Sequence, residues 1–178
     1  MDVSQILKKK SDDLIQCAEV LRFLKINWEK PISIKLNELY SRKDLDVSTK
    51  IFESYKKRPG VYYFKIISHH KGQEIVNALS NYKNLKERSC PKIHKRGNLD
   101  SKFLYCGSRK EGLHGRLIQH LGYGSKNTFA LQLIHWAKRI DLELEFHYAW
   151  LDENNKRFTE LIESAIANEI SPLVGKMT

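Results

Sequence analysis

At 178 residues, with 41% hydrophobic side chains, the chain can bury one substantial core and a small appendage. Its 31 Lys and Arg outnumber its 21 Asp and Glu, and the net charge of +10 points to a polyanionic partner rather than an acidic small molecule. Three cysteines without a CxxC pair argue against a disulfide framework, and no apolar run approaches the ~20 residues that cross a bilayer. MDVSQILKKK has no apolar signal core, so the expectation is a soluble, cytoplasmic protein that does not engage membranes.

Charge is uneven along the chain. Residues 1–58 carry 13 basic and 9 acidic side chains, 59–130 carry 13 and 4, and 131–178 carry 5 and 8. The positive excess therefore centres on the middle of the chain.

Residues 2–25 show the amphipathic period of a helix, with Ile6, Leu14, Ile15, Ala18, Leu21 and Leu24 on one side and the KKK run at 8–10 as its solvated face. Pro31 breaks that pattern, and Ile32 to Tyr40 fits either a strand or a short helix. A second short helix is predicted through Ile51, Phe52 and Tyr55, ending at Arg58-Pro59-Gly60, because proline disfavours helix in the residue before it. The period then changes. GVYYFKII from Gly60 is β-branched and aromatic and reads as a strand, followed by a helix over about 74–85 and a basic loop at 86–98. Phe103 to Cys106 is a second strand. The helix after it stops at Gly122-Tyr123-Gly124, and another helix is predicted from Asn127 or Thr128, with Phe129, Leu133, Trp136, Ala137 and Ile140 in register. LELEFHYAW at 142–150 alternates as a third strand. A last helix from about Lys156 to Ile170 has Phe158, Leu161, Ile162, Ala165 and Ile166 as its buried stripe. These elements predict an α+β domain over 59–178, a small three-stranded antiparallel sheet flanked by helices, with a helical N-terminal extension over 1–58.

The stretch FLYCGSRKEGLHGRLIQHL, Phe103 to Leu121, concentrates chemistry. It joins a strand-end Tyr, a glycine-broken turn, and Arg116 with His120 one helical turn later on the same face. Such a set suits a phosphate: Arg offers a fixed fork of donors, and His donates, accepts or titrates near neutral pH. Glu163 lies at the polar border of the last helix's stripe, while Glu169 falls nearer the stripe centre. His69, His70, Cys90 and His94 offer one tolerable Cys-x3-His spacing for zinc but no second clean pair. Arg88, Lys92, Lys95 and Arg96 in the basic loop, with Arg109, Lys110 and Lys126, are the candidate nucleic-acid contacts.

Gly60-Val61-Tyr62 resembles the first signature of the GIY-YIG nuclease superfamily, and Tyr105-Cys106-Gly107 resembles the second. Arg116, eleven residues after Tyr105, falls where that family places its invariant Arg, and His120 matches a His that many members carry. Glu163, nine residues before Pro172, matches the family's metal-binding Glu. Two departures stand out. Tyr62 and Tyr105 are 43 residues apart, much farther than is usual, so 68–101 reads as an insertion; and Gly175 stands where many members carry Asn. The resemblance implies a Mg²⁺- or Mn²⁺-dependent endonuclease acting on DNA, with Glu163 holding the cation and Arg116 neutralising phosphoryl charge. Tyr62 would be the general base, Tyr105 would position water or phosphate, and His120 would bind phosphate or relay a proton. The base role calls for a lowered Tyr62 pKa, since at the ordinary value near 10 only about one phenol in 1,000 is ionised at pH 7. Restriction or defence, repair and mobile-element roles all suit such an enzyme, and double-strand cutting would call for a homodimer. A catalytically inactive nucleic-acid-binding module of the same fold is the alternative.

Overall fold

The computed structural model describes residues 2–38, 57–93 and 98–175. Within them the order is α1 (Val3–Phe23), β1 (Ile32–Lys35), β2 (Gly60–Ile66), α2 (Gly72–Asn84), β3 (Phe103–Arg109), α3 (Leu113–Leu121), α4 (Leu133–Trp136), β4 (Glu143–Trp150) and α5 (Thr159–Ile170). Short 3-10 turns at Ala137–Ile140 and Glu153–Phe158 complete it. The helix expected through Ile51, Phe52 and Tyr55 lies outside the described residues, as do His94, Lys95 and Arg96. None of the described helices is long and apolar enough to cross a membrane.

The sheet has four antiparallel strands in the order β1-β4-β2-β3, one more than expected. The extra strand comes from the N-terminal segment: Ile32 to Lys35 pair with Phe146 to Glu143, and Ile34 enters the core. Four residues are too few for sequence period to separate strand from helix, and pairing with β4 decides it. The segment 1–58 is therefore not helical throughout.

Alternation along β2 sends Tyr62, Phe64 and Ile66 to one face and Val61, Tyr63 and Lys65 to the other. The first face carries the main core, in which Phe64 and Phe146 meet Ile75 and Leu79 of α2 and Leu113, Leu117 and Leu121 of α3. Helix α2, from the stretch that reads as an insertion, thus contributes to the main core. The second face holds a smaller cluster of Val61, Ala149, Leu151, Phe158 and Ile162.

Helix α1 reaches that smaller cluster through Cys17, Val20 and Leu21, and Leu24 just after it joins them, all partly buried. Ile6, Leu14 and Ile15 of the expected stripe are more than half exposed, because only the C-terminal half of the helix touches the sheet. The helix expected from 127 or 128 begins only at Leu133, and Phe129 is exposed. Side chains claim the intervening backbone: Leu131 N–H donates to His120 and Leu131 C=O accepts from Trp136 Nε1. Those groups are unavailable to a helix ladder. In α5, Leu161, Ala165 and Glu169 face solvent, and Ile162 and Ala167 supply the buried contact. Helix α5 packs along β3, an edge strand, and this sets Glu163 beside Cys106 and Ser108.

Candidate active site

Tyr62 is the centre of the site and is fully buried, at 1% exposure. Its hydroxyl lies 2.8 Å from His120 Nε2 and accepts from Arg116 Nε at 3.2 Å. The tautomer of His120 follows from its other nitrogen. Leu131 N–H, a fixed donor, points at Nδ1 from 3.1 Å, so Nδ1 carries the lone pair and Nε2 carries the hydrogen. Tyr62 Oη therefore receives two N–H donors at once. Burial first, with the Arg116 and Arg109 charges adding, holds the His120 pKa well below its ordinary value, so the ring is neutral.

Arg116 also donates to Gln119 Oε1 at 3.1 Å, and Tyr105 is close enough to act on its charge. Burial alone would lower the guanidinium pKa, but the two neighbouring phenols outweigh it and hold the charge in place. Tyr105 is half-buried and its ring lies 6.2 Å from that of Tyr62 and 4.7 Å from His120. The resemblance groups Tyr62, Tyr105, Arg116 and His120, and in the fold the other three side chains gather around Tyr62.

The titration of Tyr62 runs opposite to the expectation. Burial pushes its pKa well above 10, the neighbouring Tyr105 raises it further, and Arg116 only partly opposes them. Burial likewise raises Tyr105, again against Arg116. The site holds protonated phenols around a guanidinium.

Glycine is required at 107 for a steric reason. Gly107 pairs with Tyr62 across β2 and β3, and a Cβ there would lie 2.4 Å from Tyr62 Oη. Gly175, at φ +127°, lies against Tyr105, where a Cβ would come 3.1 Å from the ring. The position where the family's Asn is absent is thus a backbone contact on the second tyrosine.

Glu163 comes to the site from the other side of β3. Strand alternation puts Tyr105 and Gly107 on the tyrosine face and Cys106 and Ser108 on the face of α5. Ser108 Oγ donates to Glu163 Oε2 at 2.6 Å, and the Cys106 thiol approaches the Glu163 carbonyl at 3.8 Å. Burial raises the Cys106 pKa to about 12, so it stays a thiol. Glu163 remains close enough to Tyr62 and Tyr105 to raise both their pKa values. A cleft of about 340 Å³ lined by Ser108, Arg109, Lys110, Glu111, Thr159 and Glu160 opens beside it.

Among the described residues, no group of three or more His, Cys, Asp or Glu could hold a metal ion. Cys90 is buried and burial raises its pKa, while His94, its partner in the Cys-x3-His spacing, lies outside the described residues. A carboxylate that accepts from the Ser108 hydroxyl fits a hard cation such as Mg²⁺, which keeps most of its waters and takes few protein ligands.

The candidate nucleic-acid contacts divide. Arg88 is engaged internally, donating to Gly124 C=O and to Gln132 Oε1, each at 3.1 Å. Lys110 pairs with Glu160 at 3.4 Å at the mouth of the cleft. Lys92, Arg109 and Lys126 are exposed. Ser108, Gln119 and Leu131 belong to the site's framework although no sequence motif marks them; their roles arise from contacts between segments. Comparison of the chain with family models, curated proteins and solved structures found no match.

Proposed function

We propose that the chain is a GIY-YIG-type, Mg²⁺-dependent endonuclease that hydrolyses DNA phosphodiester bonds, in restriction or defence or in repair. The observation that carries this reading is the pair of N–H donors, His120 Nε2 and Arg116 Nε, aimed at one buried phenol. Two fixed donors stabilise a phenolate once it forms, as an oxyanion hole stabilises developing charge. Tyr62 is then the base that takes a proton from the attacking water. Arg116, between the two phenols, brings positive charge to the phosphate, and Tyr105, the more exposed phenol, positions it. Glu163 would hold the divalent cation, which supplies charge neutralisation at the scissile phosphate when bound. Arg109 and Lys126 would contact the phosphate backbone.

A second reading, a nucleic-acid-binding module without activity, is favoured by one observation: burial raises the pKa of the phenol that must ionise. Plasmid digestion with Mg²⁺ separates the two. Cleavage by wild type that is lost in Glu163→Ala and in Arg116→Ala supports the enzyme; tight DNA binding without cleavage supports the module.

A further inference from the structure

Helix α1 carries an apolar stripe that the body of the chain covers at one end. At 100° per residue, Val3, Leu7, Leu14, Ala18 and Leu21 fall within an arc of about 60°. Leu21 packs on the cluster around Val61 and Ile162, whereas Val3, Leu7 and Leu14 are each more than half exposed. Ile6 and Ile15, at the two borders of the stripe, are exposed to the same degree. A contiguous apolar face left in water marks a binding surface. The uncovered part is also self-complementary. Read outwards from the midpoint between Lys10 and Ser11, ILKKKSDDLI repeats its apolar pattern and inverts its charge: Leu7 mirrors Leu14, Ile6 mirrors Ile15, and Lys8 and Lys9 mirror Asp13 and Asp12.

We infer that α1 is a homodimerisation surface, on which a second copy of the chain lies antiparallel across the exposed stripe. That arrangement sets Leu7 of each copy against Leu14 of the other, and Val3 against Ala18, with Ile6 and Ile15 closing the sides. The same patch serves both copies, as an isologous two-fold contact requires. Lys10 and Asp13 lie on one flank of the stripe and are ion-paired within the helix at 3.3 Å. The two-fold brings two such pairs together head to tail, so each Lys10 also faces Asp13 of the other copy. Arg157 approaches the same carboxylate from the body of the chain at 3.8 Å. Polar Lys10 and Ser11 at the centre favour this register over a slip of one turn. A lipid surface also takes amphipathic helices, but α1 has four basic and three acidic side chains, a net +1, which gives anionic lipid little hold. Six side chains per copy make a small interface, so the dimer is reversible, with a dissociation constant on the order of micromolar. The surface stands apart from the endonuclease reading; where that reading holds, the dimer carries one site for each strand of a duplex.

The test is sedimentation equilibrium of the full chain without DNA, from about 1 to 100 µM. Leu7→Gln with Leu14→Gln removes the apolar centre at two exposed positions and keeps helix-forming residues there. Wild type should pass from monomer to dimer across this range. The double variant should raise the dissociation constant about tenfold or more, with an unchanged circular dichroism spectrum. Orientation is read by cross-linking with a short bis-maleimide in a Cys17→Ser background, where the remaining thiols, Cys90 and Cys106, are buried. At 1.5 Å per residue, antiparallel pairing puts the two copies of Ser11 about 1.5 Å apart along the axis and the two copies of Val3 about 22 Å apart. Ser11→Cys should therefore cross-link and Val3→Cys should not. A chain that stays monomeric at the top of the range would overturn the proposal. So would a dimer that the double variant leaves intact, or equal cross-linking from both cysteines, which marks a parallel pair. Monomeric wild type that binds vesicles of equal parts phosphatidylcholine and phosphatidylserine, with binding lost in the double variant, would assign the face to lipid instead.

Discussion

His120 donates to Tyr62, and not the reverse, because Leu131 N–H already occupies the other ring nitrogen. With Arg116 Nε as the second donor, the Tyr62 oxygen is the acceptor on which two buried or half-buried N–H groups depend. Tyr62→Phe removes that acceptor while keeping the ring. Leaving buried donors unsatisfied costs about 1–3 kcal/mol, so the melting temperature should drop while the fold survives. Loss of a positioned base costs about 10²- to 10⁴-fold. Plasmid nicking by Tyr62→Phe within a few-fold of wild type would remove this phenol from the chemistry.

With Tyr62 as the proposed base, its raised pKa would set the pH profile. A base is active only when deprotonated, and below its pKa the phenolate fraction rises tenfold per pH unit. Burial places that pKa above 10, so log(kcat/KM) for DNA cleavage should climb from pH 7 to 9.5 with a slope near one and no plateau. Single-turnover rates at saturating Mg²⁺ provide the measurement. A flat profile with the chemical step limiting would assign the proton to another acceptor.

His120 also links stability to pH. Its pKa in the fold is well below the ordinary 6.5, so below pH 6.5 the unfolded chain takes up a proton that the native state refuses. Stability therefore rises with pH across the window between the folded value and 6.5, and is lost as the pH falls through it. His135, also depressed mainly by burial, acts in the same direction. Thermal melts at pH 7.5, 6.5 and 5.5 should show a falling midpoint, with a shallower fall in His120→Gln. That variant should also be less stable at pH 7.5 by about 1–3 kcal/mol, since Leu131 N–H loses its acceptor. Parallel slopes for the two proteins would show that His120 does not carry the linkage.

The tyrosines, Arg116, His120 and Glu163 were legible in the sequence because each lies in or near a short local pattern: a glycine-flanked strand, an i, i+4 pair, a border position on a helical stripe. What joins them was not. Leu131 meets His120 only because the chain after α3 turns back, and that hydrogen bond also stops the helix that periodicity predicts at 128–132. Strand β1 shows the same limit, since four residues acquire strand character from pairing with β4. The α1 stripe failed for a further reason: periodicity finds an apolar face but not how much of it meets the core.

Gly107 and Gly115 should respond to alanine with opposite signs. A methyl at 107 would stand 2.4 Å from Tyr62 Oη and 2.9 Å from a Tyr105 ring carbon, and Tyr62 is held by two hydrogen bonds. Overpacking of this kind costs about 1–3 kcal/mol, or roughly 2–4 °C in melting temperature per kcal/mol for a chain of this size. A methyl at 115 would meet open space in the first turns of α3. Replacing a helical glycine there should stabilise by about 0.5–1 kcal/mol. Differential scanning calorimetry of the two variants checks both signs. A stable, active Gly107→Ala would mean that Tyr62 has room to move.

Arg88 and Arg109 look alike as basic residues near the site but should fail differently. Arg88 joins the loop before Cys90 to Gly124 and Gln132, so Arg88→Ala should lower the melting temperature and leave the salt dependence of DNA binding unchanged. Arg109 is exposed at the end of β3 and lines the cleft beside Ser108. Arg109→Ala should keep the melting temperature and reduce the magnitude of the slope of log K against log salt by about 0.9, the share of one released counterion. Fluorescence anisotropy with a labelled duplex at several salt concentrations measures both slopes. A lowered slope in Arg88→Ala with an unchanged melting temperature would reverse the assignment and return Arg88 to the DNA-contacting set.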